Sequence, residues 1–147
     1  MALTDVLCDS GPLAALFNSQ DSYHAQALDF FAKRGGHVRL LTSWEVISEV
    51  MYFLDFSAHA QADLLLWLHQ GAQHDRIRIS SLQTQDLPAL ASLMRKYADR
   101  PMDLADASLV WLANNTGITD ILTVDRADFA VYRTASRKAF KNVFVTH

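Results

Sequence analysis

Two aspartates stand directly behind short apolar runs: Asp9 after Val6-Leu7-Cys8, and Asp125 after Ile121-Leu122-Thr123-Val124. Apolar runs of this length, stopped by turn residues, read as buried strands. In parallel α/β sheets the carboxyl ends of strands open into the crevice where ligands gather. A carboxylate there adds little to stability and is well placed to hold a hard cation or to act as a nucleophile. Asp9 and Asp125 face one crevice if their strands are neighbours, which spacing alone does not decide.

Other candidates sit close by in the sequence, each with an ordinary structural explanation. Asp103 reads as a helix N-cap, and Asp106, three residues on, fits a capping-box-like arrangement. Asp125 can start a turn before the segment 127–132. Glu45 and Glu49, one turn apart on a helix, fit a solvated face, although Glu49 lies among Ile47, Val50, Met51 and Phe53. Asp128 can reach toward Asp125 or cap the short helix that begins there. Thr123, two residues before Asp125 in a strand, points to the same side and can orient a carboxylate.

The elements that position these groups alternate. Strands are predicted at Asp5 to Asp9, His37 to Leu41, Arg76 to Ile79 and Asp120 to Val124, with a candidate fifth at Val143-Phe144-Val145. Helices are predicted from Pro12 to about Asn18 and from Asp21 to about Lys33, closed by Gly35-Gly36. Another is capped by Thr42-Ser43 and runs through Leu54. Further helices run from Ser57 to Gln70-Gly71, from about Gln85 to Tyr97, and from Asp103 to Asn115, ended by Gly117. This alternation implies an α/β fold with a mostly parallel four- or five-stranded sheet flanked by helices. With 147 residues, half of them hydrophobic, and no linker-like tract, a single domain over 1–147 is expected.

The single cysteine, Cys8, excludes an internal disulfide and suggests a buried thiol in a reducing compartment. Neither a secretory leader nor a run of 18 apolar residues occurs, so a soluble cytoplasmic protein with no membrane association is expected. The net charge of −3 hides an uneven distribution. From Arg126 onward, five basic residues (Arg126, Arg133, Arg137, Lys138, Lys141) face one acid, Asp128, so that segment carries +4 and the preceding 125 residues carry −7. A solvated basic face is one reading of this cluster, and a grip on phosphates is another. Glycine-rich nucleotide loops are missing, and the Asp-x-Asp of phosphatase-type nucleophiles is broken by Gly11.

Four segments, in order and at fitting separations, resemble the PIN domain family, particularly the VapC-like toxins of bacterial toxin-antitoxin pairs. They are Val6-Leu7-Cys8-Asp9-Ser10-Gly11-Pro12-Leu13, Thr42-Ser43-Trp44-Glu45-Val46-Ile47-Ser48-Glu49-Val50, Asp103-Leu104-Ala105-Asp106-Ala107-Ser108-Leu109, and Ile121-Leu122-Thr123-Val124-Asp125-Arg126-Ala127-Asp128-Phe129. The resemblance spans almost the whole chain. It implies one PIN-like three-layer α/β/α domain and an endoribonuclease whose acidic quartet is Asp9, Glu49, Asp106 and Asp125. Asp103, Asp128, Glu45 and Thr123 are supporting candidates. The pair Asp21-x-x-His24 also resembles a feature of many relatives and reads as a helix-start contact.

Four carboxylates converging within about 5 Å would repel by roughly 3 kcal/mol per pair at an effective dielectric near 20. Marginal folding stability does not absorb that, so such a cluster implies protonated acids or a bound divalent cation. Oxygen donors without Cys or His select Mg²⁺ or Mn²⁺ over zinc. No His-Glu-x-x-His and no Cys pair occurs, and His59, His69 and His74 are expected at the surface. An acidic pocket does not hold RNA unaided, which makes Arg126, Arg133 and Lys138 the candidate RNA-binding residues. The resemblance also implies a cognate antitoxin and a homodimer; Ala62 to Leu68 fits such an interface, or ordinary core packing. A PIN-like nucleic-acid-binding or regulatory module without catalysis is the alternative.

Overall fold

The computed structural model of the chain describes residues 2–144. Five strands form one sheet, in the order β3 (Ile77–Ser80), β2 (Val38–Ser43), β1 (Thr4–Cys8), β4 (Asp120–Leu122), β5 (Lys141–Asn142). Every neighbouring pair is parallel, with Val6 opposite Leu40 and Leu7 opposite Ile121. The first three strands build outward in one direction and the last two in the other. The strand order therefore reverses between β1 and β4, which is where a doubly wound sheet opens a crevice.

Helices α1 (Ser10–Phe17), α2 (His24–Arg34), α3 (Trp44–Phe53), α4 (Ala58–Gln73), α5 (Leu87–Lys96), α6 (Leu104–Thr116) and α7 (Arg126–Val131) flank this sheet in the α/β/α arrangement expected from the sequence. Helix α1 packs against α2, α3 and α4, while α6 packs against α3, α5 and the strands β1 and β2. The central strand β1, its neighbour β4 and α6 are deeply buried: Val6, Leu7, Cys8, Leu109, Val110, Ile121 and Leu122 are all shielded from solvent. Each such aliphatic side chain contributes roughly 1.5–3 kcal/mol relative to exposure. Cys8 lies inside this core and burial pushes its thiol pKa up, as befits a structural thiol.

Several boundaries differ from expectation for identifiable reasons. Helix α4 runs past Gly71 to Gln73, so this glycine is no helix stop; it is a close-approach position, where a Cβ would overlap the side chain of Ile77 on β3. The helix expected from Gln85 begins as a separate 3₁₀ turn (Thr84–Asp86), in which the Asp86 carboxylate accepts the Gln83 N–H at 2.8 Å, and Pro88 then opens α5. Strand β4 stops at Leu122 because the side chain of Asn142 takes over at Thr123, its amide donating to the Thr123 carbonyl at 3.0 Å. The last strand is Lys141–Asn142, earlier than the Val143–Val145 segment, of which Val145 lies outside the described residues.

The segment 62–68 divides between both of its readings. Leu64 and Leu68 enter the core, and Trp67 meets Phe17 and Phe31 edge-on, while Leu65 and Leu66 remain exposed. His59, His69 and His74 are exposed, as expected. Asp21 accepts the Tyr23 N–H at 2.8 Å and the first residue of α2, His24, contacts the Ala15 carbonyl, so this pair is a helix-start contact. Among the described residues, no helix is long and apolar enough to cross a membrane.

Candidate functional site

At the β1/β4 junction the backbone leaves both strands toward the same side. Asp9 follows β1 and caps α1: its N–H donates to the Leu122 carbonyl at 2.9 Å, and its Oδ1 accepts the Ser10 N–H at 2.8 Å. Its Oδ2 accepts the Thr123 hydroxyl at 2.8 Å, while the same hydroxyl accepts the Asp125 N–H at 2.9 Å. One oxygen thus ties the ends of two strands together. Asp125 itself stands three residues beyond β4 and caps α7 through the Asp128 N–H. Gly11 lets α1 lie against this loop, since a Cβ there would overlap the Val124 side chain.

Helix α6 brings two further acids by its first turn. Asp103 is its N-cap and accepts the Asp106 N–H at 2.8 Å. The Asp106 carboxylate does not return to the cap; it turns inward and accepts the Tyr132 hydroxyl at 3.1 Å. Helix α3 supplies Glu49, whose Oε1 accepts the Ser10 hydroxyl. The Ser43 and Ser108 hydroxyls meet at 2.7 Å and hold α3 against α6. Asp9 and Asp125 are thus helix caps as well as strand-end acids, whereas Asp106 does not complete the expected capping box and Glu49 is held by Ser10.

The gathering is wider than four. Carboxylate oxygens of Asp106, Asp125 and Asp128 lie within 4.8 Å of one another. Glu49 and Asp103 are in side-chain contact on the other flank, and Asp9 acts electrostatically on both groups. Burial, with the charges of Asp9 and Asp103 adding, pushes the Asp106 carboxyl up to about 8. Burial raises Glu49 to about 7, the Ser10 hydroxyl opposing and Asp103 reinforcing the shift. Burial and the contact with Asp128 raise Asp125 to about 6. Asp9 is pushed up by burial against the lowering effect of the Thr123 and Ser10 hydrogen bonds. These are carboxyl groups in need of positive charge, and an all-oxygen donor set fits Mg²⁺ or Mn²⁺.

The supporting candidates separate. Thr123 stands between Asp9 and Asp125, and Asp103 and Asp128 belong to the acidic gathering. Glu45 does not join it; its carboxylate lines the adjoining groove between α3 and α6. The expected cations are mostly elsewhere. Arg126 follows Asp125 by one residue and so leaves α7 from a different face, beside Phe129, Ala130, Phe140 and Asn142. Arg133 turns its guanidinium onto the carbonyls of Ala130 and Tyr132. Lys138 lies near Asn114 and Gly117, at the far end of α6 and about 16 Å along that helix from its acidic turn.

Among the described residues, Arg100, which the sequence reading did not single out, forms an ion pair with one of the acids. Its Nη1 pairs with Asp128 Oδ1 at 2.8 Å, and it is delivered by the loop between α5 and α6. A lone arginine before Pro101 carries no pattern signal; the nearest hint is its position just ahead of the Asp103 cap.

Comparison with known proteins bears on this arrangement in two ways. The family model described as PIN domain matches residues 6–134. Among solved structures, the fold resembles that of VapC20 from Mycobacterium tuberculosis, described as a sarcin-ricin loop cleaving toxin, with a TM-score of 0.69 and 17% identity, over 83% of this chain and 91% of that one. At that identity the likeness is one of fold. No curated protein matches the chain.

Proposed function

This chain belongs to the PIN domain family, and from that premise we propose that it is a metal-dependent endoribonuclease, the toxin of a toxin–antitoxin pair, acting as a single domain over residues 1–147. The observation that carries this reading is the grouping of Asp106, Asp125 and Asp128 within 4.8 Å beside the β1/β4 junction, with Asp9 acting on Asp106, Asp125 and Glu49 and burial raising the carboxyl pKa values. Its fold likeness to a toxin described as sarcin-ricin loop cleaving supports the choice of RNA as substrate. A cytoplasmic location, a cognate antitoxin and a homodimer follow from the toxin reading.

In this reading Asp9, Asp106, Asp125 and Glu49 hold Mg²⁺ or Mn²⁺. When bound, such an ion would supply Lewis-acid polarisation of a phosphodiester. Thr123 and Ser10 orient the carboxylates, because their hydroxyls hold Asp9 and Glu49 in fixed positions. Asp103 and Asp128 add negative charge at either flank. Arg100 is the residue that contacts the substrate phosphate, since its guanidinium offers several donors and only Nη1 is engaged with Asp128.

The test is cleavage of total cellular RNA with cut-site mapping, in Mg²⁺, in Mn²⁺ and in EDTA, alongside Asp9→Asn and Asp125→Asn. Cleavage that needs the ion and both aspartates is expected. Undiminished cleavage in EDTA would sink the metal mechanism, and RNA binding without cleavage would leave a binding module instead.

A further inference from the structure

Beside the acids, α3 and the first turn of α6 enclose a groove of about 530 Å³ lined by Trp44, Glu45, Ser48, Glu49, Tyr52, Asp103 and Leu104. Two of these residues, Glu49 and Asp103, also belong to the acidic gathering, so the groove opens directly onto it. Trp44, Ser48 and Tyr52 follow one another at intervals of four along α3 and form one stripe. The Trp44 side is half exposed at 50% and Tyr52 is exposed at 71%, while Leu104 at 46% faces solvent on α6. Large aromatic side chains are usually removed from water, and two left open beside a polar crevice mark a binding surface.

Glu45 is the second feature. It stands one turn before Glu49 on the same helix, and its Oε1 is out of solvent with no hydrogen-bond partner among the described residues. An unmet buried acceptor costs free energy that a donor would recover. Glu45 lines the groove, and its terminal torsion is broad enough for the carboxylate to turn toward a donor held there.

Three acids on the lining exclude a phosphate from this groove, and the open aromatic faces suit a flat, uncharged ring. We propose that the groove is a base subsite: it takes an unpaired nucleobase next to the cleaved phosphate, stacked on Trp44, with Tyr52 further along the same stripe and Glu45 accepting from an amino group on its pairing edge. This rests on the ribonuclease reading and narrows it to single-stranded or looped RNA. A paired base has its edge occupied and its faces stacked on neighbours, so a duplex does not fill the groove.

The test is fluorescence anisotropy of labelled ten-nucleotide oligo(C), oligo(U) and a duplex control in Ca²⁺, together with kcat and KM for cleavage in Mg²⁺. Cytosine and uracil match in size and differ in the amino group that Glu45 would accept. Wild type is expected to bind oligo(C) more tightly than oligo(U), and both more tightly than the duplex. Stacking of a base predicts that Trp44→Ala weakens oligonucleotide binding roughly five- to a hundredfold and raises KM with kcat nearly unchanged. Trp44→Phe should restore most of the loss, and Glu45→Gln should narrow the preference for cytosine.

Wild type that cleaves RNA while Trp44→Ala and Tyr52→Ala bind and cleave like it overturns the base subsite alone. Oligonucleotide binding that depends on Trp44, without any cleavage, overturns the nuclease reading and keeps the subsite. An octa-arginine peptide is the remaining control: if Trp44→Ala weakens only its binding, the groove docks a basic protein segment and the proposal is overturned.

Discussion

Thr123 donates its hydroxyl to Oδ2 of Asp9 at 2.8 Å, joining residues 114 positions apart in the sequence. Because the same oxygen accepts the Asp125 N–H, the hydroxyl fixes the spacing of two acids that arise from adjacent strands. Valine at 123 keeps the shape and removes both bonds. Thr123→Val should cost about 1–3 kcal/mol in urea denaturation, since a buried carboxylate oxygen loses its donor. Mn²⁺ affinity, read by calorimetry, should fall roughly 10- to 100-fold, as for other partners that orient metal ligands. Unchanged affinity would mean that Asp9 is not a ligand or needs no orientation.

Stability should depend on pH with a sign opposite to that of most proteins. Asp106, Glu49 and Asp125 have folded-state values raised to about 8, 7 and 6, above those of the unfolded chain. Between pH 4 and 8 the folded state therefore binds more protons than the unfolded one, and stability falls as pH rises through that window. The metal-free protein should show its melting temperature dropping from pH 5 to pH 8. Saturating Mg²⁺ should flatten the drop, because the ion supplies the charge that protons supplied. A melting temperature rising over the same range without metal would refute the convergence of these acids.

Asp106 separates stability from function. Its carboxyl is buried, raised by its neighbours, and held by the Tyr132 hydroxyl. Asparagine can still accept from Tyr132 while carrying no charge. Asp106→Asn should stabilise the metal-free protein at pH 8 by on the order of 1 kcal/mol, as removal of functional strain does elsewhere. The same variant should lose Mn²⁺ binding and RNA cleavage. Loss of both stability and activity would instead assign Asp106 a packing role.

How far the sequence reached depends on which contacts are local. Asp9 and Asp125 are readable because an apolar run followed by turn residues marks the end of a strand, and parallel sheets place ligands there. Their adjacency is not readable, since it requires β4 to pair with β1 and not with β3. Asp103 looks like a plain helix cap, and it is one: a carboxylate at an N-terminus can bond the backbone with one oxygen and offer the other to a neighbour. Asp128 is not a cap, because Asp125 caps α7 and the Asp128 carboxylate pairs with Arg100 instead. Lys138 shows the other side of this. Charge counted along the chain gathered five cations near Asp125, but the turn after α7 carries Lys138 toward the far end of α6. Arg100 comes from 25 residues before Asp125 and still reaches Asp128.

Gly11 should prove intolerant of a side chain despite its exposed surroundings in sequence. A Cβ there overlaps Val124, in the loop that carries Asp125. Overpacking of this kind typically costs about 1–3 kcal/mol. Gly11→Ala should lower stability by that amount, and Val124→Ala in the same chain should restore part of it by vacating the space. Independent losses in the double variant, adding without recovery, would show that the two residues do not share this contact.

Arg100 and Lys138 make opposed predictions about the RNA grip. Arg100 sits on Asp128 beside the acids, whereas Lys138 lies at the other end of α6. If phosphate is held at the crevice, Arg100→Ala should raise KM for RNA and reduce the slope of log affinity against log salt by about 0.7–0.9, the share of one phosphate contact. Lys138→Glu should leave both nearly unchanged. The Arg100 variant also leaves Asp128 without its partner, so its apo stability should fall slightly while Mn²⁺ affinity rises, one competing cation having been removed. A salt slope that responds to Lys138→Glu and ignores Arg100→Ala would move the RNA path away from the crevice and along the C-terminal segment.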